Sequence, residues 1–504
     1  MKYLQGQHIL ILGLGSSGLA MTRWCAQMGA DITVADTRES PANLQVLKSE
    51  LPEVQFKSGP FAANLIEGTS VRAVFASPGL TPIETLPVIA AAQAMGLWVG
   101  GELSLFVQAL ENLKATRDYA PQVLAITGTN GKTTVTALTG QLIERAGKTV
   151  KVAGNIGPTL LDSLRLSMTT ELPEVWVLEL SSFQLDNAGP FEPSAATVLN
   201  ITQDHLDWHG NMAAYAAAKE KIFGASSLMV LNRDDARVMA MLPEPVRAKL
   251  QKPVVRAHVT YGAEMPQRPG DFGLETVNGM TWLVRALEAD ETRRLRKGEV
   301  EEIHIQRLMP ADALRIRGRH NAVNALAALA LATSTGASLA SMLFGLREYK
   351  GEPHRVEPVA IVNEVEYFDD SKGTNVGATV AALLGLGAER RVVVILGGEG
   401  KGQDFSPLAE PVARYARAVV LIGRDAPLIR EEIKACGVPL IDASTLPEAV
   451  NAAKNMAQAG DAVLLSPACA SFDMFRDYPH RAQVFCQAVA EIAEAAGQVM
   501  EASL

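Results

Sequence analysis

In each of three regions, a short apolar run ends in a Gly- or Ser-rich loop and leads into a helix-like stretch. That order is the mark of α/β layering, with parallel strands whose C-terminal ends carry the loops where ligands dock. The chain has 504 residues, which is long for one core and predicts two to four domains. Its Ala, Gly, Leu and Val content, with only 5% aromatics, suits helices lying close on sheets.

The first region, 1–118, holds HILILGLGSSGLAMTRWCAQMGADITVAD, which reads strand, turn, helix, strand. AVFASPGL and WVGGELSLF follow, and 111–122, containing Pro121, reads as a linker. The second region, 119–350, opens with VLAITGTNGKTTVTALTGQLIERAG and continues through VWVLELSS, ATVLNITQDH and LMVLNRDD. Within it, Asn278-Gly279 predicts a two-residue hairpin turn. RRLRKGEVEEIHIQR reads as a charged, solvent-facing insertion, and GRHNAVNALAALALATSTG as a long helix. The third region, 351–504, holds VEYFDDSKGTN, RRVVVILGGEGKG, ARAVVLIGR and DAVLLSPACASFDMF.

Charge narrows the function. The net charge is −9 and no Lys/Arg block supplies the basic face that a nucleic-acid binder needs. No apolar stretch reaches membrane-spanning length and no cleavable signal precedes the first strand, so the chain reads as cytoplasmic. Cys25, Cys436, Cys469 and Cys486 form no CxxC and read as reduced thiols.

Two loops carry the strongest chemistry. Gly13, Gly15 and Gly18 form GxGxxG after a strand, and Asp36 ends the next one. This motif admits a dinucleotide, another phosphate-bearing ligand, or a turn with no ligand. TGTNGKTT is more specific: Gly128 and Gly131 free backbone amides, Lys132 can reach β/γ-phosphates, and the Thr133 hydroxyl can ligate Mg²⁺. It departs from the generic phosphate loop, which has a glycine where this chain has Ile126. Glu179 ends a strand, and Asp204, His205, Asp207 and His209 cluster in QDHLDWHG without a zinc-type HExxH glutamate. His209 reads as structural. Lys219 lies on an Ala-rich helix, where a lysine is ordinarily solvated. His354-Arg355, Asp370 to Lys372, Lys401 and SPACASFDMF offer cations and hydroxyls for a carboxylate-bearing substrate.

Taken in order, GTNGKTT, AGNIG, LELSSFQL, NITQDHLD, YAAAK, GRHNAVNALAA, PHR, DDSKGTN, GGEGKG and SPACASFDMF make the chain similar to the Mur ligases over most of its length. GLGSSG, DTR and SPG, with LSPACASFDMF, resemble the D-glutamate-adding branch. The DNPR motif of the diaminopimelate-adding enzymes is absent. The resemblance implies a Rossmann-like N-terminal domain, a P-loop-type central ATPase domain and a Rossmann-like C-terminal domain. It implies UDP rather than NAD on the first domain, at Ser16, Ser17, Asp36, Thr37, Arg38 and Gly79, with Asn155 and His205 beside the sugar-peptide of UDP-N-acetylmuramoyl-L-alanine. ATP would lie on Gly128, Thr129, Asn130, Gly131, Lys132, Thr133 and Thr134, with Asn324, Arg355 and Asp370 at its adenosine. Two Mg²⁺ ions are implied, one at Thr133 and Glu179 and one at His205. Lys219 would be carbamylated by CO₂, which turns a cation into an oxygen donor. D-glutamate would meet Lys372, Thr374, Lys401, Ser471, Phe472 and Tyr478. The family usually has Phe and then an RG pair after SPACAS, where this chain has Tyr478 and Ala482; a ring is kept. The segment 287–302 reads as surplus length, and a monomer is expected. Competing readings are a Mur or folate-type ligase with another amino acid, a nicotinamide oxidoreductase, and a non-catalytic nucleotide-binding regulator.

Overall fold

The computed structural model describes residues 3–246, 254–289 and 302–498, and the chain divides into two compact units. One holds residues 1–201, 205–261 and 327–342; the other holds 202–204, 262–326 and 343–504.

In the first unit the GxGxxG region builds five strands, β1 (His8–Leu12), β2 (Asp31–Asp36), β3 (Gln55–Ser58), β4 (Val71–Ala76) and β5 (Trp98–Gly100). They form a parallel sheet of order β3-β2-β1-β4-β5, so the order reverses beside β1, where ligands of open sheets dock. The TGTNGKTT region builds β6 (Gln122–Thr127), β7 (Val150–Gly154), β8 (Val175–Glu179), β9 (Ala195–Val198), β10 (Leu228–Asn232) and β11 (His258–Tyr261). Their order is β11-β10-β9-β6-β8-β7, again parallel. The central strands are apolar on both faces, as a sheet covered on both sides requires.

The two sheets share one core. Helix Ser16–Gln27 contributes Leu19, Met21 and Trp24, helix Glu102–Arg117 contributes Phe106, Ala109 and Leu113, and helix Leu160–Thr169 contributes Leu161 and Leu164, all in one buried cluster with Trp176 of β8. Phe106 meets Trp176 edge to face with centroids 5.2 Å apart. The expected linker 111–122 is therefore shorter than the sequence implied. The helix runs on to Arg117 because Leu113 continues its buried face, and Asp118 closes it in the left-handed region at φ 55°.

Glu102 opens that helix and is buried at 2% exposure. Its Oε1 accepts the Leu161 N–H at 3.0 Å, while Oε2 has no hydrogen-bond partner. Burial pushes its carboxyl up to about 7; the Leu161 bond and the neighbouring Ser17 and Thr159 hydroxyls offset part of the rise. An unfolded glutamate ionises near ~4.3. Between that value and about 7 the folded chain keeps a proton that the unfolded chain gives up. The associated stability is full below the unfolded value and drains away as pH rises through the folded one. Glu102→Gln is therefore expected to exceed the parent in urea unfolding free energy by roughly 2–3 kcal/mol at about pH 8, with the gap shrinking towards about pH 5.

In the second unit β12 (Phe272–Val277), β13 (Met280–Glu288) and β14 (Ile303–Pro310) form an antiparallel sheet in that order. Asn278 and Gly279 turn the hairpin at φ 52° and 81°, as expected for Asn-Gly. The insertion read from RRLRKGEVEEIHIQR needs correction at its end, because Ile303–Arg307 pair with β13 as part of β14. Residues 290–301, the greater part of the surplus segment 287–302, lie outside the described residues. The last sheet comprises β15 (Glu357–Val362), β16 (Val365–Asp369), β17 (Val392–Gly397), β18 (Ala416–Ile422), β19 (Leu440–Asp442) and β20 (Ala462–Leu465), ordered β15-β16-β20-β17-β18-β19. All its pairs are parallel except β15 with β16. The sequence thus folds as α/β, with three mainly parallel sheets and one small antiparallel one, and among the described residues no helix is long and apolar enough to cross a membrane.

Candidate functional site

The loop 128–131 leaves β6 at the centre of its sheet and enters helix Lys132–Arg145. Two glycines make that path. Gly131 caps the helix at φ 84°, and Gly128 lies at φ 151°, where a Cβ would come within 2.9 Å of the Leu199 Cβ. Asn200, just past β9, braces the loop: its carbonyl and Oδ1 accept from the Thr129 and Asn130 amides at 3.0 and 2.9 Å, and its amide donates to Asn130 O at 3.0 Å. Thr133 and Thr134 fall in the first helical turn, where backbone N–H groups and the helix dipole favour an anion.

Around this cradle the structure gathers residues far apart in sequence. The Lys132 ammonium donates to the Gly128 and Thr129 carbonyls, both at 2.9 Å. Lys219, from helix Met212–Glu220, is 1% exposed; it donates to Gly128 O at 3.0 Å and Thr127 Oγ1 at 3.2 Å and sits 4.7 Å from the Tyr215 ring centroid. This is not the solvated helix lysine that local pattern implied. Glu179 pairs in register with Ile126 and is likewise 1% exposed. Its Oε1 accepts the Asn155 amide at 2.8 Å, and its Oε2 is buried without a hydrogen-bond partner. A buried, unsatisfied carboxylate oxygen beside an anion cradle suits a hard divalent cation, which takes oxygen ligands.

His205 takes the left-handed conformation at φ 54° and lies 4.8 Å from the Phe183 ring. His209 donates to or accepts from Ser182 Oγ at 2.9 Å and stacks on Phe183. Burial pushes its pKa down to about 4, with the charges of Lys219 and His205 pressing the same way, which fits a structural ring. Among the described residues, the group of three or more His/Cys/Asp/Glu whose ligand atoms all lie within 4.8 Å of one another is His354, Glu357 and Asp369, and the QDHLDWHG cluster makes no such group. His354 and Asp369 are already bonded to each other at 2.6 Å.

At the first sheet, Ser16 and Ser17 begin the helix after β1, Thr37 and Arg38 follow β2, and Gly79 follows β4, so these residues share one sheet end. Gly18 is required because a Cβ there would lie 1.9 Å from Gly13 O. Asp36 differs from a free ribose-binding acid. Its carboxylate already accepts Leu14 N–H at 2.8 Å and Arg38 N–H and guanidinium donors at 2.8–2.9 Å. The Arg38 guanidinium holds its pKa down to about 2.

In the second unit, Arg355 lines a cavity of about 510 Å³ together with Asn321, Arg315, Arg317 and Lys350. Asn324 and Asp370 are not on its wall: Asn324 donates to Asn321 Oδ1 at 3.1 Å, and Asp370 is buried, accepting the Ser466 hydroxyl at 2.6 Å. Burial pushes the Asp370 carboxyl up to about 7, while Ser466 and Arg355 draw it down. Asn321 is a residue that sequence reasoning passed over. At the C-terminal ends of the last sheet, two lysines face two rings: Lys372 Nζ lies 3.9 Å from the Tyr478 centroid and Lys401 Nζ 5.7 Å from that of Phe472. Thr374 donates its N–H to Lys372 O at 2.8 Å, and Ser471 is buried beside the exposed Phe472. Ala482, in place of the usual glycine, is fully buried.

Comparison with known proteins identifies the family of each region. The Mur ligase MurD-like N-terminal domain family matches residues 7–101, the Mur ligase middle domain family 126–332, and the Mur ligase glutamate ligase domain family 354–469. A protein of Albidiferax ferrireducens named UDP-N-acetylmuramoylalanine--D-glutamate ligase is 69% identical over 502 residues, 99% of each chain. One of the same name from Cupriavidus pinatubonensis is 57% identical, covering 98% of this chain and 99% of its own. Among solved structures, a Thermotoga maritima MurF ligase in complex with ADP superposes with TM-score 0.56 at 15% identity, covering 98% of this chain and 96% of that one. A UDP-N-acetylmuramate-alanine ligase of the same organism gives 0.54 at 20%, covering 96% and 99%.

Proposed function

Because the chain belongs to the Mur ligase family, we propose that it joins D-glutamate to UDP-N-acetylmuramoyl-L-alanine at the expense of ATP, in cytoplasmic peptidoglycan precursor synthesis. The observation that carries this reading is the glycine-built anion cradle bracketed by a buried Lys219 and the unsatisfied Glu179 Oε2. The work is divided among an N-terminal domain, 1–118, for the UDP substrate, a central domain, 119–350, for ATP, and a C-terminal domain, 351–504, for the amino acid.

A carboxylate resists attack by an amine at neutral pH. In the proposed reaction the substrate carboxylate oxygen attacks the γ-phosphorus, the bond to ADP breaks, and an acyl phosphate results. The D-glutamate amine then adds to its carbonyl carbon, a tetrahedral intermediate forms, the nitrogen gives a proton to solvent, and phosphate leaves with the bonding pair. No enzyme nucleophile is needed, so the protein positions reactants and offsets charge. Backbone N–H groups of 128–134 hold the phosphates. Lys132 exchanges its loop-carbonyl bonds for phosphate oxygens. Thr133 and Glu179 fit one Mg²⁺, and His205 with Lys219 as its carbamate fit a second; bound Mg²⁺ supplies neutralisation of the phosphate charge. The carbamate forms when the Lys219 ammonium gives one proton to solvent, the freed Nζ lone pair bonds to the carbon of CO₂, and the nitrogen then loses a second proton. Ser16, Ser17, Asp36, Thr37, Arg38 and Gly79 serve the UDP group, with Asp36 acting chiefly through the loop it holds. Asn155 stands by the sugar-peptide. Arg355 and Asn321 on the cavity wall, with Asn324 and Asp370, serve adenosine. Lys372, Thr374, Lys401, Ser471, Phe472 and Tyr478 receive D-glutamate, two cations for two carboxylates. The protein acts as a monomer.

The deciding measurement is phosphate release from ATP with UDP-N-acetylmuramoyl-L-alanine and Mg²⁺, adding D-Glu, L-Glu, L-Ala or meso-diaminopimelate separately. Release with D-Glu alone is expected. Release with another amino acid would move the substrate assignment while keeping the ligase chemistry, and none with any would remove the reading.

A further inference from the structure

Lys401 and Ser471 sit on different loops of the last sheet, 398–402 after β17 and 466–473 after β20, and a third loop, 423–425, follows β18. These three loops hold one another in a closed ring. Glu399 and Ala470 exchange both backbone hydrogen bonds at 2.9 Å, joining the first loop to the last. Asp473 Oδ2 accepts the Arg424 N–H at 2.9 Å, joining the last to the middle one. Asp425 Oδ2 accepts the Gly400 N–H at 2.6 Å and Asp425 N–H donates to Gly398 O at 3.0 Å, closing the ring. The Arg424 guanidinium spans it to Glu399 at 2.6 Å.

The loops touch too closely for side chains. A Cβ at Gly398 would lie 2.3 Å from Ala470 O, and one at Gly423 would lie 2.6 Å from Asp473 Oδ2. Lys401 itself is in the left-handed region at φ 53°, a conformation that a non-glycine residue keeps only when its surroundings impose it. The contact immediately before it is the Asp425 bond to Gly400. Neither aspartate has a place in the phosphate chemistry.

We propose that Asp425 and Asp473 are positioning residues for the amino-acid substrate: by pinning the Gly400 and Arg424 amides they hold Lys401, Ser471 and Phe472 as one preformed surface for its carboxylates. This rests on the assignment of D-glutamate to Lys401 and Ser471.

The test is a set of steady-state constants for the full chain. Hydrogen bonds to charged groups are strong enough that losing one costs about tenfold to a hundredfold in an equilibrium. Asp425→Ala should raise KM for D-Glu by that factor and leave KM for ATP and for UDP-N-acetylmuramoyl-L-alanine within about twofold. Asp425→Asn, whose Oδ1 still accepts from Gly400, should restore most of the loss. Asp473→Ala should act in the same direction, and the double variant should cost less than the product of the two, because both act on one ring. Equal rises in all three KM values, an unchanged KM for D-Glu, or an Asn variant no better than Ala would each overturn the proposal. Amide hydrogen exchange gives a readout independent of turnover: the Gly400–Lys401 amides should exchange faster in Asp425→Ala than in the parent. If the parent itself shows no D-Glu-dependent phosphate release, the substrate reading fails, while unchanged exchange would mean that Asp425 does not hold the loop.

Discussion

Lys219→Met should fold and yet lose turnover by on the order of 10³-fold, with KM for D-Glu little changed. Methionine keeps an unbranched stem, so packing against Tyr215 survives while the nitrogen is removed. What disappears is the group that reaches Thr127 and Gly128 at the end of β6 and, as the carbamate, an oxygen donor for Mg²⁺. Thermal melting separates the two roles that such a buried residue can have. A methionine variant that melts near the parent and has lost turnover assigns Lys219 to the chemistry. One that retains activity within tenfold would reduce it to packing. Intact mass of the parent, with and without bicarbonate and Mg²⁺, reads the carbamate directly, and an unmodified lysine at saturating concentrations of both would count against it.

Glu179→Gln should be nearly as damaging for a different reason. The amide has the shape of the acid and its oxygen still accepts from Asn155, so melting without nucleotide should stay within ~4 °C of the parent. The charge on Oε2, which has no hydrogen-bond partner, is gone. Turnover should fall by roughly 10²–10³-fold, and the Mg²⁺ concentration for half-maximal activity should rise by at least about tenfold. Activity retained at the parent's Mg²⁺ requirement would show that Glu179 is no metal ligand. The same substitution leaves the Asn155 and Ile126 contacts as a control on local geometry.

How far each of these residues could be read from sequence depends on how its chemistry is encoded. The phosphate loop was legible because strand, glycines and helix start are contiguous, and Gly128 and Gly131 take the conformations that their positions predict. Lys219 was legible only through the order of motifs, since the oxygens that it donates to are 91 and 92 residues away and its own helix is an ordinary Ala-rich one. Asn200, Tyr215 and Asn321 brace, stack on or line their sites with side chains of common type and no local signature. Asp425 and Asp473 were hidden for the same reason, because each pins an amide of a loop distant in sequence. Glu102 sits in WVGGELSLF with no local signal, because the helix whose Leu161 N–H it accepts begins 58 residues later. The linker misjudged at 111–117 shows the converse: polar residues there face water from a helix whose other side is core.

The core common to the first two sheets bears on how this protein can be taken apart. A fragment ending at Asp118 would carry the Phe106, Ala109 and Leu113 face into water, stripped of Trp176, Leu161 and Leu164. A fragment beginning at Tyr119 would bare the opposite half of the same seam. Each cut surface is apolar and contiguous, which favours aggregation over folding. Exchanging the N-terminal sheet with that of a relative would therefore require matching residues on both sides of helix Glu102–Arg117, because evolution can trade this piece only together with the surface that completes it.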